Sequence, residues 1–348
     1  MKRIFRFNLR LCILIAFAGS CTHPESPPRE SGRIPVAFQV EGSFTPTRIP
    51  AAQTPDENRI SHWAVFLFQN GNLCYSGTST TSNSIILPIE SGTYTVCALA
   101  NYPDTFHPDG IRTITELEQT STTLDENLSG SWLMYGCQTA IPITEARPVT
   151  LSVERLLVKV GIRQIRTDFS NHPELQSKTC ILQAVFLTNV YNRTHYGYDE
   201  AFLQMRSDPE LWYNKMGLEN NSLTGGFYAD TDIRAEINDS RPYNQLHIFY
   251  CCPNGVPAEQ DTRDANWKKR RTRLVLEMQI GATRCYYPIT LADDSGILAR
   301  NKYYLIDEAV ITKMGSLDPE QEIEGSIEVK FNTFTNEWNT EYTIREIS

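Results

Sequence analysis

The sequence predicts an all-β protein of two tandem β-sandwich domains carried behind an export signal. Three observations predict it. Apolar and polar residues alternate with period two through most of the chain, turn clusters punctuate that pattern, and helical patterns are confined to short stretches at Thr115–Gln119 and Pro209–Lys215. Period-two alternation buries one face of a strand and leaves the other wet.

The first twenty residues stand apart. Lys2, Arg3, Arg6 and Arg10 give a cationic start, Leu11 to Ala18 an apolar core, and Gly19-Ser20 a small-residue end before Cys21. This is the grammar of a signal peptide. Eight apolar residues make roughly 12 Å of helix, too short for a hydrocarbon core of about 30 Å. A Cys directly after Ala18-Gly19-Ser20 resembles the lipobox of bacterial lipoproteins. That resemblance implies residues 1–20 as signal peptide, a palmitate-type acyl group on Cys21, and anchoring at the outer membrane. Residues 21–33 then read as the lipidated Cys with a tether rich in Pro, Ser and Glu.

Loss of residues 1–20 removes four cations and no acid, taking the formal net charge from −9 to −13. An acidic mature chain argues against nucleic acid as a partner. Of nine Cys, Cys12 leaves with the signal and Cys21 is lipidated, so an odd number remains. No C-x-x-C is present, which removes support for zinc or thioredoxin-like chemistry. Vicinal Cys251-Cys252 with Cys285 could hold one disulfide, but small buried apolar thiols are the favoured reading.

The roughly 315 residues from Gly32 onward exceed what one compact core usually holds. Domains are expected at 34–147 and 148–316, with C-terminal strands at 317–348. Strand patterns run through Val36, Phe38 and Val40, then Val149, Leu151 and Val153, then Leu156, Val158, Val160 and Ile162, and late through Ile327, Val329 and Phe331. Turn signals lie at Gln69–Asn72, Glu90–Gly92 and Pro253–Gly255. An internal echo supports a boundary near Arg147-Pro148. Ala64–Gly77 resembles Ala184–Gly197, each an apolar strand, an Asn-bearing turn and a second strand closing at Gly.

Four stretches in order are similar to the fimbrillin family, the pilus subunits of Bacteroidales. They are Ser91–Asn101 ending in Ala-Asn, Thr150–Val160 with Arg155, an apolar run and Lys159, Leu298–Ile306 with Arg300-Asn301 and Tyr304, and Met314-Gly315-Ser316-Leu317-Asp318-Pro319. The resemblance implies two transthyretin-like β-sandwiches in a subunit exported as a lipoprotein. It implies that an Arg-specific protease removes the first strand. A C-terminal strand of another subunit then fills the groove, and repetition builds a surface pilus that supports adhesion.

The residues can meet the needs of that mechanism. A sandwich lacking one strand exposes unpaired backbone groups beside an apolar slot, and an incoming strand satisfies both. The removable strand is Ile34–Val40, with Val36, Phe38 and Val40 inward. The following stretch Glu41–Pro50 holds Arg48 as the candidate cleavage residue; Arg33 competes, but cutting there would leave the strand in place. The donor candidates are Ile327, Val329 and Phe331, with Trp338, Tyr342 and Ile344 as later anchors. The competing reading makes this tail the domain's own last hairpin.

No catalytic motif appears, and neither a cofactor nor a metal is expected: H-E-x-x-H, G-x-S-x-G, G-x-G-x-x-G and the P-loop are absent. Asp230-Thr231-Asp232, Asp293-Asp294 and the run Lys268–Arg271 read as solvated loops. Two alternatives remain. One is a base subunit that keeps its lipid, and the other a glycan-binding surface lipoprotein using Trp212-Tyr213 and Trp267.

Overall fold

The computed structural model describes residues 32–42, 57, 59–127, 132–191, 193–197, 212–213, 228–255, 271–291 and 297–335. Cys21 and the signal segment, Arg48, Trp267, Lys268–Arg270, Asp293-Asp294, Trp338, Tyr342 and Ile344 lie outside the described residues. In the N-terminal half the strands are β1 (Arg33–Gly42), β2 (Trp63–Gln69), β3 (Asn72–Ser79), β4 (Ser84–Glu90), β5 (Gly92–Ala100), β6 (Ser121–Thr123), β7 (Met134–Ile143) and β8 (Val149–Arg155). Their sheet runs β3-β2-β5-β7-β8-β1-β4 and closes around Val36, Phe38, Trp63, Val65, Val96 and Leu151.

The apolar run Ala64–Phe68 does not alternate because β2 is covered on both faces. Val65 and Leu67 face the main core. Phe66 and Phe68 enter a second cluster with Leu99, Leu117 and Tyr196, and strands buried on both sides read as continuous apolar runs. The covering segment includes helix α1 (Ile114–Gln119), opened by a capping box in which the Glu116 amide donates to Thr113 Oγ1 at 3.2 Å and the Thr113 amide to Glu116 Oε2 at 3.1 Å. Between β2 and β3, Asn70 and Gly71 sit at φ 51° and 81°. Two positive φ values in succession are what a tight primed hairpin turn needs.

The C-terminal half comprises β9 (Val158–Ile162), β10 (Ile165–Thr167), β11 (Cys180–Thr188), β12 (Val190–Tyr191), β13 (Arg193–His195), β14 (Trp212–Tyr213), β15 (Ala229–Asp230), β16 (Ala235–Glu236), β17 (His247–Cys251), β18 (Asn254–Gly255), β19 (Arg273–Ile280), β20 (Thr283–Thr290), β21 (Ile297–Leu298), β22 (Lys302–Ile311) and β23 (Ile327–Thr335). One sheet runs β10-β22-β9-β17 with β23 on β22, and the other runs β15-β11-β19-β20 with β16 on β11. The molecule is thus all-β and built of sandwiches, with short helices only. Its buried apolar cluster is continuous from Val36 in the first half to Ile311 in the second.

Several local expectations change. The break moves from Arg147-Pro148 to Leu156-Leu157, because β8 pairs with β1 and β7 while β9 pairs with β17 and β22. The internal echo holds for β2 and β11, and each strand runs into a left-handed Asn, Asn70 in the first and Asn189 (φ 55°), one place earlier in the match, in the second. It fails afterwards: β12 pairs with β14, and β13 crosses to β6 in the first half. Trp212-Tyr213, expected in a helical piece, is strand β14, and Asn254-Gly255, expected in a turn, pairs with β21. Cys251, Cys252 and Cys285 are buried and do not bridge to one another. The disulfide joins Cys97 to Cys137, which stand directly opposite each other on β5 and β7. Spacing alone could not find that pair.

Candidate functional site

Strand β1 is inserted between β4 and β8, with a staggered hold. Arg33–Gln39 pair antiparallel with β4, and Phe38–Gly42 pair parallel with β8, so the two ladders overlap at Phe38 and Gln39, and the Val40 amide adds one more bond to Asn83 O at 3.1 Å. Pro35 stands opposite Pro88, two residues without an N–H, which thins the ladder there. The side chains do most of the holding. Val36 and Phe38 are 0% exposed and Val40 is buried beside them, each contributing about 1.5–3 kcal/mol of apolar burial.

After Gly42 the chain next enters the described structure at Glu57, which is buried where the two halves meet. Its carboxylate accepts from Lys159 Nζ at 3.0 and 2.9 Å and from the Tyr250 hydroxyl, and its backbone oxygen accepts from Arg155 Nε at 3.1 Å. Asn301 Oδ1 accepts from the Arg155 amide and from Arg155 Nη1, both at 3.3 Å. The Lys159 ammonium lies 4.9 Å from the centre of the Tyr303 ring. Burial pulls the Arg155 guanidinium down to about 10 and lowers Lys159 as well, with Glu57 opposing both shifts. Burial, reinforced by Glu57, pushes the Tyr250 hydroxyl up.

Arg155, Lys159 and Asn301 were visible in the sequence as parts of a resemblance. Glu57 was not. Two cations flanking the apolar run Leu156–Val158 demand a buried acid, but no local signal says which one.

The tail is placed differently. β23 pairs antiparallel with β22 from Ile327↔Ile311 to Thr335↔Lys302, at the edge of its sheet. Ile327 is half-buried and Val329 is 40% exposed. Lys330 Nζ reaches Glu308 Oε2 at 2.8 Å. In the lone chain, β23 is therefore laddered onto its own domain. The stretch before it is tied down. Ser316 and Tyr286 exchange backbone bonds at 2.7 and 3.0 Å, and the Tyr287 hydroxyl donates to Lys313 O at 2.9 Å. A Cβ on Gly315 would lie 2.5 Å from Tyr286 O, so glycine is required for that approach.

Other expectations resolve locally. Arg33 pairs with Glu90 at 3.4 Å on the surface. Asp230, expected in a solvated loop, bonds His247 Nδ1 at 2.5 Å, and Tyr243 bonds the other ring nitrogen at 2.9 Å. This buried histidine joins the edges of the two C-terminal sheets. Among the described residues, no group of three or more His, Cys, Asp or Glu is placed to hold a metal ion, and no helix is long and apolar enough to cross a membrane.

No protein-family model matches the chain, and no curated protein matches it. Solved structures do. A candidate cell adhesion protein of Bacteroides eggerthii superposes with a TM-score of 0.63 at 16% identity, covering 87% of this chain and 96% of that one. A fimbrilin of Porphyromonas gingivalis gives 0.59 at 15% identity, covering 86% and 97%. The tip fimbrial protein of the same species, with a C-terminal truncation, gives 0.55 at 14% identity, covering 86% and 98%. The chain shares the fold of these fimbrial and cell-adhesion proteins along nearly all of its described length.

Proposed function

We propose that this chain is a structural subunit of a bacterial surface pilus, a fimbrillin-like lipoprotein rather than an enzyme, and that it assembles by exchange of strands. The observation that carries the reading is β1. It is an inserted strand with a buried apolar face, bonded on both sides, and attached to the rest only through the segment that holds Arg48. The shared fold with fimbrial proteins supports the same reading.

In this scheme the lipid on Cys21 carries the chain to the outer membrane. An Arg-specific protease cuts after Arg48, and β1 leaves with the lipid. The open edges of β4 and β8 then accept a C-terminal strand from a neighbouring subunit, which restores the ladder and refills the core. Glu57 lies beyond the cut, so the buried Glu57–Lys159 pair stays with the assembled part and fixes the new N-terminal segment between the halves. The base-subunit alternative differs in one respect: β1 and its lipid are kept.

Mass spectrometry of surface material tests the scheme. A mature N-terminus at Ile49 in pilus material supports it, whereas acylated Cys21 in every copy means the chain is a permanent anchor. Deleting residues 325–348 should abolish laddering on unboiled gels, and unchanged ladders would remove the tail from the mechanism.

A further inference from the structure

β23 is not held evenly along its length. Where it begins it is pinned, because the Thr312 amide donates to Ser326 O at 3.1 Å and the Thr312 hydroxyl to Gly325 O at 2.6 Å. Farther on, its ladder is broken by a bulge in β22. Ile306 stands opposite Phe331 and Glu308 opposite Lys330, so Asp307 is an extra residue that faces no counterpart on β23. A bulge disrupts the ladder and re-aims the side chains beside it. Here the neighbour is Glu308, whose carboxylate ties three strands together. Lys330 Nζ on β23 lies 2.8 Å from its Oε2, and Arg166 Nε on β10 donates to its Oε1 at 2.8 Å. Lys330 first and Arg166 next hold the Glu308 carboxyl below its usual range.

From this placement we infer that Glu308 is a charge latch, which fastens β23 to its own domain where the ladder is weakest and sets how often the strand opens. The inference rests on the strand-exchange reading only for the use to which opening is put.

The latch can open without stranding a charge. The Glu308 side chain is 13% exposed, and a mostly buried carboxylate left with no cation would be costly. Arg166 prevents that. It is tied to Asp239 at 3.3 Å as well as to Glu308, and its strand β10 is paired with β22 independently of β23. Lys330 already has 76% of its side chain in water, so its departure needs little new hydration. The bulged acid does not compete for Lys330, since Asp307 faces Arg163 at 3.2 Å. Opening therefore gives up one of the two cations on Glu308 and keeps the other.

Hydrogen exchange on the full, uncut chain tests the latch, with the amides of β19 as the control that the fold is intact. Glu308→Gln and Lys330→Gln should each lower the protection of β23 amides about two- to fivefold, the range expected of a partly exposed ion pair. The double variant should lower it no further, because the two groups act as one pair. Salt at about 1 M, where the screening length is about 3 Å, should reproduce the loss in the wild type and not in the double variant. Arg166→Gln should act with the opposite sign: it removes the cation that stays behind, so β23 protection should rise. A fall in Arg166→Gln as large as that in Glu308→Gln overturns the latch in favour of a general loosening of the sheet. Unchanged protection in Glu308→Gln overturns it outright. After cleavage at Arg48, Glu308→Gln should polymerise faster than the wild type by a similar factor. Faster exchange with an unchanged rate of polymerisation overturns the part of the latch in assembly and leaves strand exchange standing. A cut chain that stays monomeric, with the exchange result intact, overturns the strand-exchange reading and leaves the latch as a property of the lone chain.

Discussion

Val36 and Phe38 in β1 are fully buried, whereas Val329 in β23 leaves 40% of its surface in water, although the two strands alternate in the same way. β1 is bonded to two neighbours and faces the core of the first half. β23 is bonded to one neighbour at a sheet edge. The comparison separates two ways of holding a strand. β1 is held by side chains and has a ladder thinned at Pro35 and Pro88; β23 is held by a long ladder, and its described side chains from Glu328 to Lys330 are exposed. A strand of the second kind detaches at low cost, because water replaces backbone bonds better than it replaces apolar packing.

The largest expected effect sharpens the first half of this comparison. Phe38→Ala should lower the stability of the intact chain by about 3–5 kcal/mol, measured by chemical denaturation. A loss near zero would mean that β1 is not a core strand. Glu57→Gln should cost a similar amount, on the order of 3–5 kcal/mol, by leaving Lys159 buried without its carboxylate. Adding Lys159→Met should recover much of that loss, and no recovery would assign the cost to the Arg155 and Tyr250 contacts instead.

Val329→Ala in the uncut chain should cost about 1 kcal/mol or less, since a partly wet side chain loses little burial. An effect as large as that of Phe38→Ala would erase the contrast between the strands. Hydrogen exchange offers a second view. Amides of β23 should exchange before those of β1, because edge strands open without global unfolding. The smallest effect belongs to Arg33→Ala, which breaks an exposed pair with Glu90 and should change stability by roughly 0.2–1 kcal/mol.

Much of the strand content was legible. Alternation at Val36, Phe38 and Val40 and the Asn70-Gly71 turn each act within a few residues, and local chemistry decides them. The half-boundary was misplaced because β8 alternates like any strand, and only its partners show that it belongs to the first half. Trp212-Tyr213 and Asn254-Gly255 went astray for a related reason: two-residue pairings have no period to detect.

By itself, the sequence determined that the chain is all-β and which faces of its strands are apolar. Those properties follow from side-chain periodicity, which is local. Only the tertiary structure decided that β1 is inserted between β4 and β8 while β23 lies at a sheet edge on β22. It alone paired Cys97 with Cys137 and set Glu57 against Lys159. These are contacts between residues far apart in the chain, and they form only when the sheets close and exclude water.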